Sequence, residues 1–130
     1  MKSTQPPCPC GTGQAYAACC GRYHAGPLHL QAATAEALMR SRYSAYVLSL
    51  PRYLQDTWHA STRPPDVQAF DPALRWLGLE VRRHEMHADG SAVVEFVARS
   101  KVAGRAQRLH ESSHFVMEAG RWFYVDGDVR

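Results

Sequence analysis

Four cysteines fall within the first twenty residues, as Cys8-Pro9-Cys10-Gly11-Thr12-Gly13 followed by Cys19-Cys20-Gly21, and the other 110 residues contain none. Two chemistries compete for such a cluster. A disulfide framework suits exported chains with spaced cysteines. Here Cys19 and Cys20 are adjacent and would form a strained vicinal bridge. Cys8 and Cys10 are little better placed to bridge each other, although cross-bridges are geometrically open. A tetrahedral metal site asks only that four thiolates converge at about 2.3 Å from the ion. Gly11 and Gly13 permit the tight turn after Cys10, with backbone amides free to face the sulfurs. Gln14 to Ala18 favours one short helical turn that returns Cys19 and Cys20, and Gly21 is expected to stop it. The reading is one zinc ion per chain held by Cys8, Cys10, Cys19 and Cys20, with His24 as an alternative ligand. An iron–sulfur cluster fits less well, because this spacing does not match the ferredoxin runs. Four protein ligands close the coordination sphere, so the zinc is expected to be structural rather than catalytic.

The chain has 130 residues, 45% hydrophobic and 21% charged. That suffices for one compact unit with a small appendage, divided here into residues 1–26, the cysteine knuckle and its linker, and residues 27–130. No apolar run approaches the roughly 20 residues that cross a bilayer. Residues 1–7 lead into the cysteines without an apolar stretch, so no signal peptide is expected and a soluble cytoplasmic protein is the default. The net charge is +3 and the only lysines are Lys2 and Lys101. The basic residues are scattered, which argues against a sequence-specific nucleic-acid surface.

Gly21 to Pro27 reads as a linker. From about Ala32 to Leu50, the residues Leu38, Met39, Tyr43, Tyr46, Val47 and Leu50 recur at helical spacing, with Thr34 or a residue just before it as N-cap and Glu36 in the first turn. Pro51 ends this helix or opens a second, with Tyr53, Leu54 and Trp58 facing inward. Pro64 and Pro65 break the chain, and Phe70 to Ala73 suggests a short turn. Beyond Trp76 the periodicity becomes that of strands: Leu77, Leu79 and Val81 alternate with polar residues. Asp89-Gly90, Ala103-Gly104 and Ala119-Gly120 mark three reversals. The expected fold is α+β, with long helices packed on a curved antiparallel four-stranded meander. A bent sheet wrapped on a helix forms a cone with a pocket inside, as in nuclear transport factor 2-like domains.

On a period of two, Leu109, Glu111, Ser113, Phe115 and Met117 share a face of their strand. Glu111 would then turn inward beside Ser113. A buried carboxylate is either a general acid or base or a structural partner of an arginine such as Arg40 or Arg42, and the paired state is the commoner. The candidate pocket comprises Tyr43, Tyr46, Trp58, Glu111, Ser113 and Phe115, open to a small-molecule ligand, with Glu111 the one weak catalytic candidate. The histidines read as surface groups: His84 and His87 lie on opposite faces, His110 and His114 lie opposite Glu111, and His59 caps a helix end. No Ser-His-Asp order, phosphate loop or dinucleotide fingerprint is present.

Cys-Pro-Cys-Gly-Thr-Gly with Tyr16 and Cys19-Cys20-Gly21 resembles the SEC-C motif, the zinc module also found at the C-terminus of the translocase ATPase SecA. Thr12 stands where that motif commonly has Ser. Leu38 to Tyr46, Tyr53-Leu54, Thr57-Trp58-His59, Ser61 to Pro64, Leu109 to Phe115 and Gly120 to Gly127 are similar to the bacterial YchJ family. The resemblance spans almost the whole chain and implies a zinc knuckle joined to a nuclear transport factor 2-like domain, with no reaction attached. The knuckle's likeness to an interaction module implies an adaptor for a protein or ribosome-type partner. Arg22, Tyr23 and His24 are the residues expected to be exposed for that contact. The competing function is a small-molecule binder or enzyme using the cone pocket, with Glu111 as acid or base.

Overall fold

Thr34 opens the main helix, its side chain accepting the Ala37 N–H at 3.0 Å as an N-cap should. In the computed structural model, which describes residues 6–67 and 71–130, the order is a 3-10 turn at Tyr16–Ala18, α1 (Gly21–His24), α2 (Ala35–Val47), α3 (Pro51–Asp56), β1 (Leu74–Met86), β2 (Ser91–Val102), β3 (Arg105–Glu118) and β4 (Arg121–Val129). The strands form one antiparallel meander in the order β1-β2-β3-β4. This is the expected α+β arrangement. Pro51 is the first residue of α3, where its missing N–H costs nothing. A turn at Asp71 leads into β1, with Leu74 N–H donating to the Asp71 carbonyl at 3.1 Å. Phe70 and the leader residues 1–5 lie outside the described residues. Among the described residues no helix is long and apolar enough to cross a membrane.

Helix α2 lies across the inner face of the sheet. Leu38, Met39, Tyr43, Ala92, Val94, Phe96, Ala98, Phe115 and Trp122 form one buried cluster, and all four cysteines belong to it. The knuckle is thus a wall of the main core. A second cluster joins Tyr23, Ala45, Tyr53 and Leu54 on the other side of α2.

Three local expectations are corrected. Gly21 begins α1 instead of ending a helix. It is small because a methyl group there would come within 2.8 Å of the Tyr16 carbonyl oxygen and 2.9 Å of its ring. The segment from Gly21 is therefore ordered structure at its start, and its Tyr23 is buried. The alternation in β1 also shifts. A bulge between Trp76 and Gly78 leaves Leu77 as the extra residue, 56% exposed, and turns Trp76 inward to share a face with Leu79 and Val81. Bulges of this kind re-aim side chains and bend the strand. A matching irregularity opposite His114 and Phe115 makes Val125 the extra residue of β4. Finally, His59 does not cap a helix: its ring nitrogens meet Ser61 Oγ and Glu118 Oε2, each at 2.7 Å.

These contacts set measurable costs. Thr34→Ala should lower unfolding free energy by about 1 kcal/mol, and Gly21→Ala by about 1–3 kcal/mol through overpacking, both read by denaturant titration. Leu77→Ala should stay within about 0.5 kcal/mol of the parent, whereas Leu79→Ala should cost about 2 kcal/mol or more. Equal effects at these two leucines would contradict the bulge.

Candidate metal centre and adjoining cavity

The chain from Pro6 to Tyr16 is a miniature hairpin. Cys8 N–H donates to the Gln14 carbonyl at 2.8 Å, and Tyr16 N–H to Pro6 at 3.1 Å. Its tip reverses through Gly11 and Gly13, both at φ +86°, a conformation that glycine adopts without strain. The 3-10 turn and α1 then carry Cys19 and Cys20 back against the first pair. All four thiols are buried and unbridged, and their sulfurs lie within 4.8 Å of one another. Cys10 and Cys19 Sγ are 3.6 Å apart, close to the edge of about 3.8 Å that a tetrahedron with 2.3 Å arms requires. The donor set therefore fits a four-thiolate metal ion.

The surroundings favour thiolate at Cys10 and oppose it at Cys19 and Cys20. Cys10 is held down at about 4, chiefly by a hydrogen bond from Cys20 and also by Thr12, against the opposing cost of burial. Cys20 is pushed up by that same bond and by burial. Thr12 Oγ1 lies 3.2 Å from Cys19 Sγ, so the hydroxyl at this position faces the sulfurs. From α2, Ser44 Oγ approaches Cys8 Sγ at 3.6 Å, and Arg40 Nη1 donates to the Cys10 carbonyl at 2.8 Å.

His24 is not among the clustered ligands. Its Nδ1 meets Tyr16 Oη at 2.6 Å and its Nε2 meets the Ser41 carbonyl at 2.8 Å, while its ring packs edgewise on Tyr53 at 4.6 Å. Burial lowers its pKa, so the neutral ring is favoured. Of the three residues expected to be exposed, only Arg22 is. Tyr23 is 5% exposed and anchors the second cluster, because α1 turns its side chain toward Ala45 and Leu54.

The opposite side of α2 faces a cavity of about 310 Å³ beneath the sheet. Tyr43, Tyr46, Trp58, Glu111, Ser113 and Phe115 all line it, together with Arg42, Trp76, Tyr124 and smaller apolar groups. Glu111 is not paired with Arg40 or Arg42. Its Oε2 accepts the Ser113 hydroxyl at 2.5 Å, and Arg40 is engaged with Glu36 and Cys10. Gly127, across the ladder from Ser113, makes room for this carboxylate, because a methyl group there would overlap it. On the outer face, His110 meets Glu95 at 2.7 Å and His114 meets Asp126 at 2.6 Å.

Arg42 is the residue that sequence reasoning underrated. It is 6% exposed, with Nη1 donating to the Leu54 carbonyl at 2.9 Å and to Thr57 Oγ1 at 2.7 Å. Its guanidinium stacks on Tyr124 at 4.5 Å and on Trp58 at 5.0 Å. Burial lowers its pKa; the burial of Tyr124 itself, with Glu111 nearby, pushes that phenol up to about 12 against the opposing pull of Arg42. The available signal was an arginine within an otherwise inward-facing stretch of helix.

Comparison with known proteins places this geometry in a wider set. The family model described as "YchJ, middle NTF2-like domain" matches residues 34–127, and the SEC-C motif model matches residues 7–22. A UPF0225 protein of Bordetella parapertussis is 55% identical over 128 residues, covering 98% of this chain and 96% of its own. One of Methylibium petroleiphilum is 60% identical over 123 residues, covering 95% and 88%. The solution structure of a SEC-C motif containing protein from Rhodopseudomonas palustris superposes with a TM-score of 0.81 at 33% identity, covering 96% of this chain and 99% of that one. The crystal structure of a sec-c motif containing protein from Psychrobacter arcticus gives 0.77 at 32%, covering 95% and 82%. With a SEC-C hairpin leading into a YchJ-type NTF2-like domain and relatives of this identity along nearly its full length, the chain belongs to the UPF0225 family.

Proposed function

We propose that this protein binds a small organic molecule in the cavity under its sheet, and that a zinc ion on Cys8, Cys10, Cys19 and Cys20 braces the wall of that cavity. The observation that carries the reading is the cavity itself. Its volume of about 310 Å³ lies at the lower end of ligand pockets, about 300–1,000 Å³. Its walls are largely aromatic, and a carboxylate with its own hydroxyl partner faces in from β3. Gly127 supports the same reading, since the space its missing side chain leaves is taken by Glu111. In a ligand site Glu111 serves as a hydrogen-bond acceptor.

Zinc is favoured over other ions because four buried thiolates form a soft tetrahedral donor set. Its contribution is folding free energy, since the sulfurs sit in the main core beside Leu38 and Met39. The protein-adaptor reading has less support, because Tyr23 and His24 are engaged inside the fold and only Arg22 is left to make a surface contact.

Native mass spectrometry should find one zinc per chain with four free thiols, and chelation or Cys20→Ser should lower the thermal midpoint substantially. A metal-free chain of unchanged stability would refute the bracing role. For the cavity, ligand-observed NMR with small aromatic fragments should reveal one competitive site. Binding should be lost in Ala98→Leu, which fills the cavity, and retained in Arg22→Glu. Fragment binding that survives Ala98→Leu would place the site elsewhere.

A further inference from the structure

We propose that the ligand is a small organic monocarboxylate, its carboxylate paired with Arg42 and its body held among the aromatic walls. This rests on the cavity being a ligand site, and it adds the charge and the chemical class of the occupant.

Arg42 is a desolvated cation without a bonded anion. Both of its hydrogen bonds to the fold leave from Nη1 and end on neutral oxygens. Among the described residues no carboxylate lies within ion-pair distance of it, and Glu111, the carboxylate in the cavity lining, is satisfied by Ser113 instead. The stacked rings of Tyr124 and Trp58 offset part of the cost of burying the charge, and they hold the guanidinium plane still. The Nε–Nη2 edge of the fork makes no hydrogen bond to the described residues. Such an edge matches the two oxygens of a carboxylate.

The desolvation of the cation has already been met on folding. An incoming anion therefore finds a fixed, low-dielectric partner, where the attraction is stronger than in water. Glu111 sets the second half of the specificity. A ligand with one negative charge gains Arg42, whereas a second charge in so small a cavity would meet the Glu111 carboxylate and be repelled. The far end of the favoured ligand is instead a hydrogen-bond donor, a hydroxyl or N–H, which Glu111 accepts.

The test titrates the full-length, zinc-loaded protein, labelled with nitrogen-15, with three probes of similar shape: para-hydroxybenzoate, para-hydroxybenzyl alcohol and terephthalate. Para-hydroxybenzoate should shift the resonances of Tyr43, Glu111 and Phe115 and bind about tenfold or more tighter than the neutral alcohol, as expected for a hydrogen bond between charged groups. Terephthalate should bind more weakly than para-hydroxybenzoate. Arg42→Lys should remove most of the carboxylate advantage. Because Arg42 also holds α3, Glu111→Gln supplies an independent measurement and should narrow or abolish the penalty against terephthalate. Equal binding of the alcohol, or an unchanged terephthalate penalty in Glu111→Gln, would overturn the monocarboxylate assignment while leaving the cavity a ligand site. Cavity resonances unmoved by all three probes at millimolar concentration would overturn the ligand site as well.

Discussion

Ser41, Arg42, Tyr43, Ser44 and Ala45 are five consecutive residues of α2, and all five are buried. A helix presents consecutive residues at roughly 100° intervals, so no side of this turn and a half faces water. Every polar group in it must find a partner inside the protein. Those partners are the other parts of the molecule. Ser41 Oγ meets Tyr53 Oη at 2.8 Å, which ties α3 and the second cluster to α2. Ser44 reaches Cys8 of the cysteine hairpin. Arg42 reaches the end of α3 and the aromatic rings beside β4. The fold is arranged around satisfying one helix from every side.

This arrangement makes the cysteine hairpin and the cavity two faces of one wall. Ser44 touches a thiol, while Arg42 and Tyr43 line the space beneath the sheet. Beyond Asp56, the chain pairs briefly with β4: Tyr124 N–H donates to the Thr57 carbonyl at 2.9 Å, and His59 N–H to the Tyr124 carbonyl at 2.7 Å. That pairing sets Trp58 against Tyr124 at 5.1 Å and brings both rings to the guanidinium. A cation in the core is tolerated only with such compensation. The residues that compensate Arg42 are also those that shape one end of the cavity.

Much of the architecture was legible in the residues. The three reversals and the four strands follow from local rules about backbone freedom and hydrophobic period, and the structure chose Thr34 as the cap and Pro51 as a helix start from the alternatives those rules left open. The side-chain set of β3 was legible for the same reason, because its inward face from Leu109 to Phe115 obeys a period of two without interruption. The errors fall where backbone geometry breaks the period or where a small residue answers to a close packing contact. The bulge at Leu77 reverses the facing only of the start of β1, while Leu79 and Val81 face inward as expected, and Gly78 beside it is the sole local hint. Gly21 looked like a helix stop, yet its size is dictated by the carbonyl and ring of Tyr16, five residues earlier, which the turn folds back against it. Tyr23 looked exposed because it follows the clustered cysteines, and only α1 packing beside α2 buries it.

By itself the sequence determined the four-cysteine cluster, the order of helices and strands, and the polar groups present on β3. Those features depend on residues close together in the chain, where covalent geometry restricts the alternatives. Only the tertiary structure decided that the hairpin is part of the core, that Glu111 bonds Ser113 and leaves Arg42 without a carboxylate, and that Trp58 and Tyr124 close around that cation. Apart from the Glu111–Ser113 bond within β3, these are contacts between residues well separated in the chain. Their partners are chosen by which faces the bulges and the buried helix bring together, and no local pattern encodes that choice.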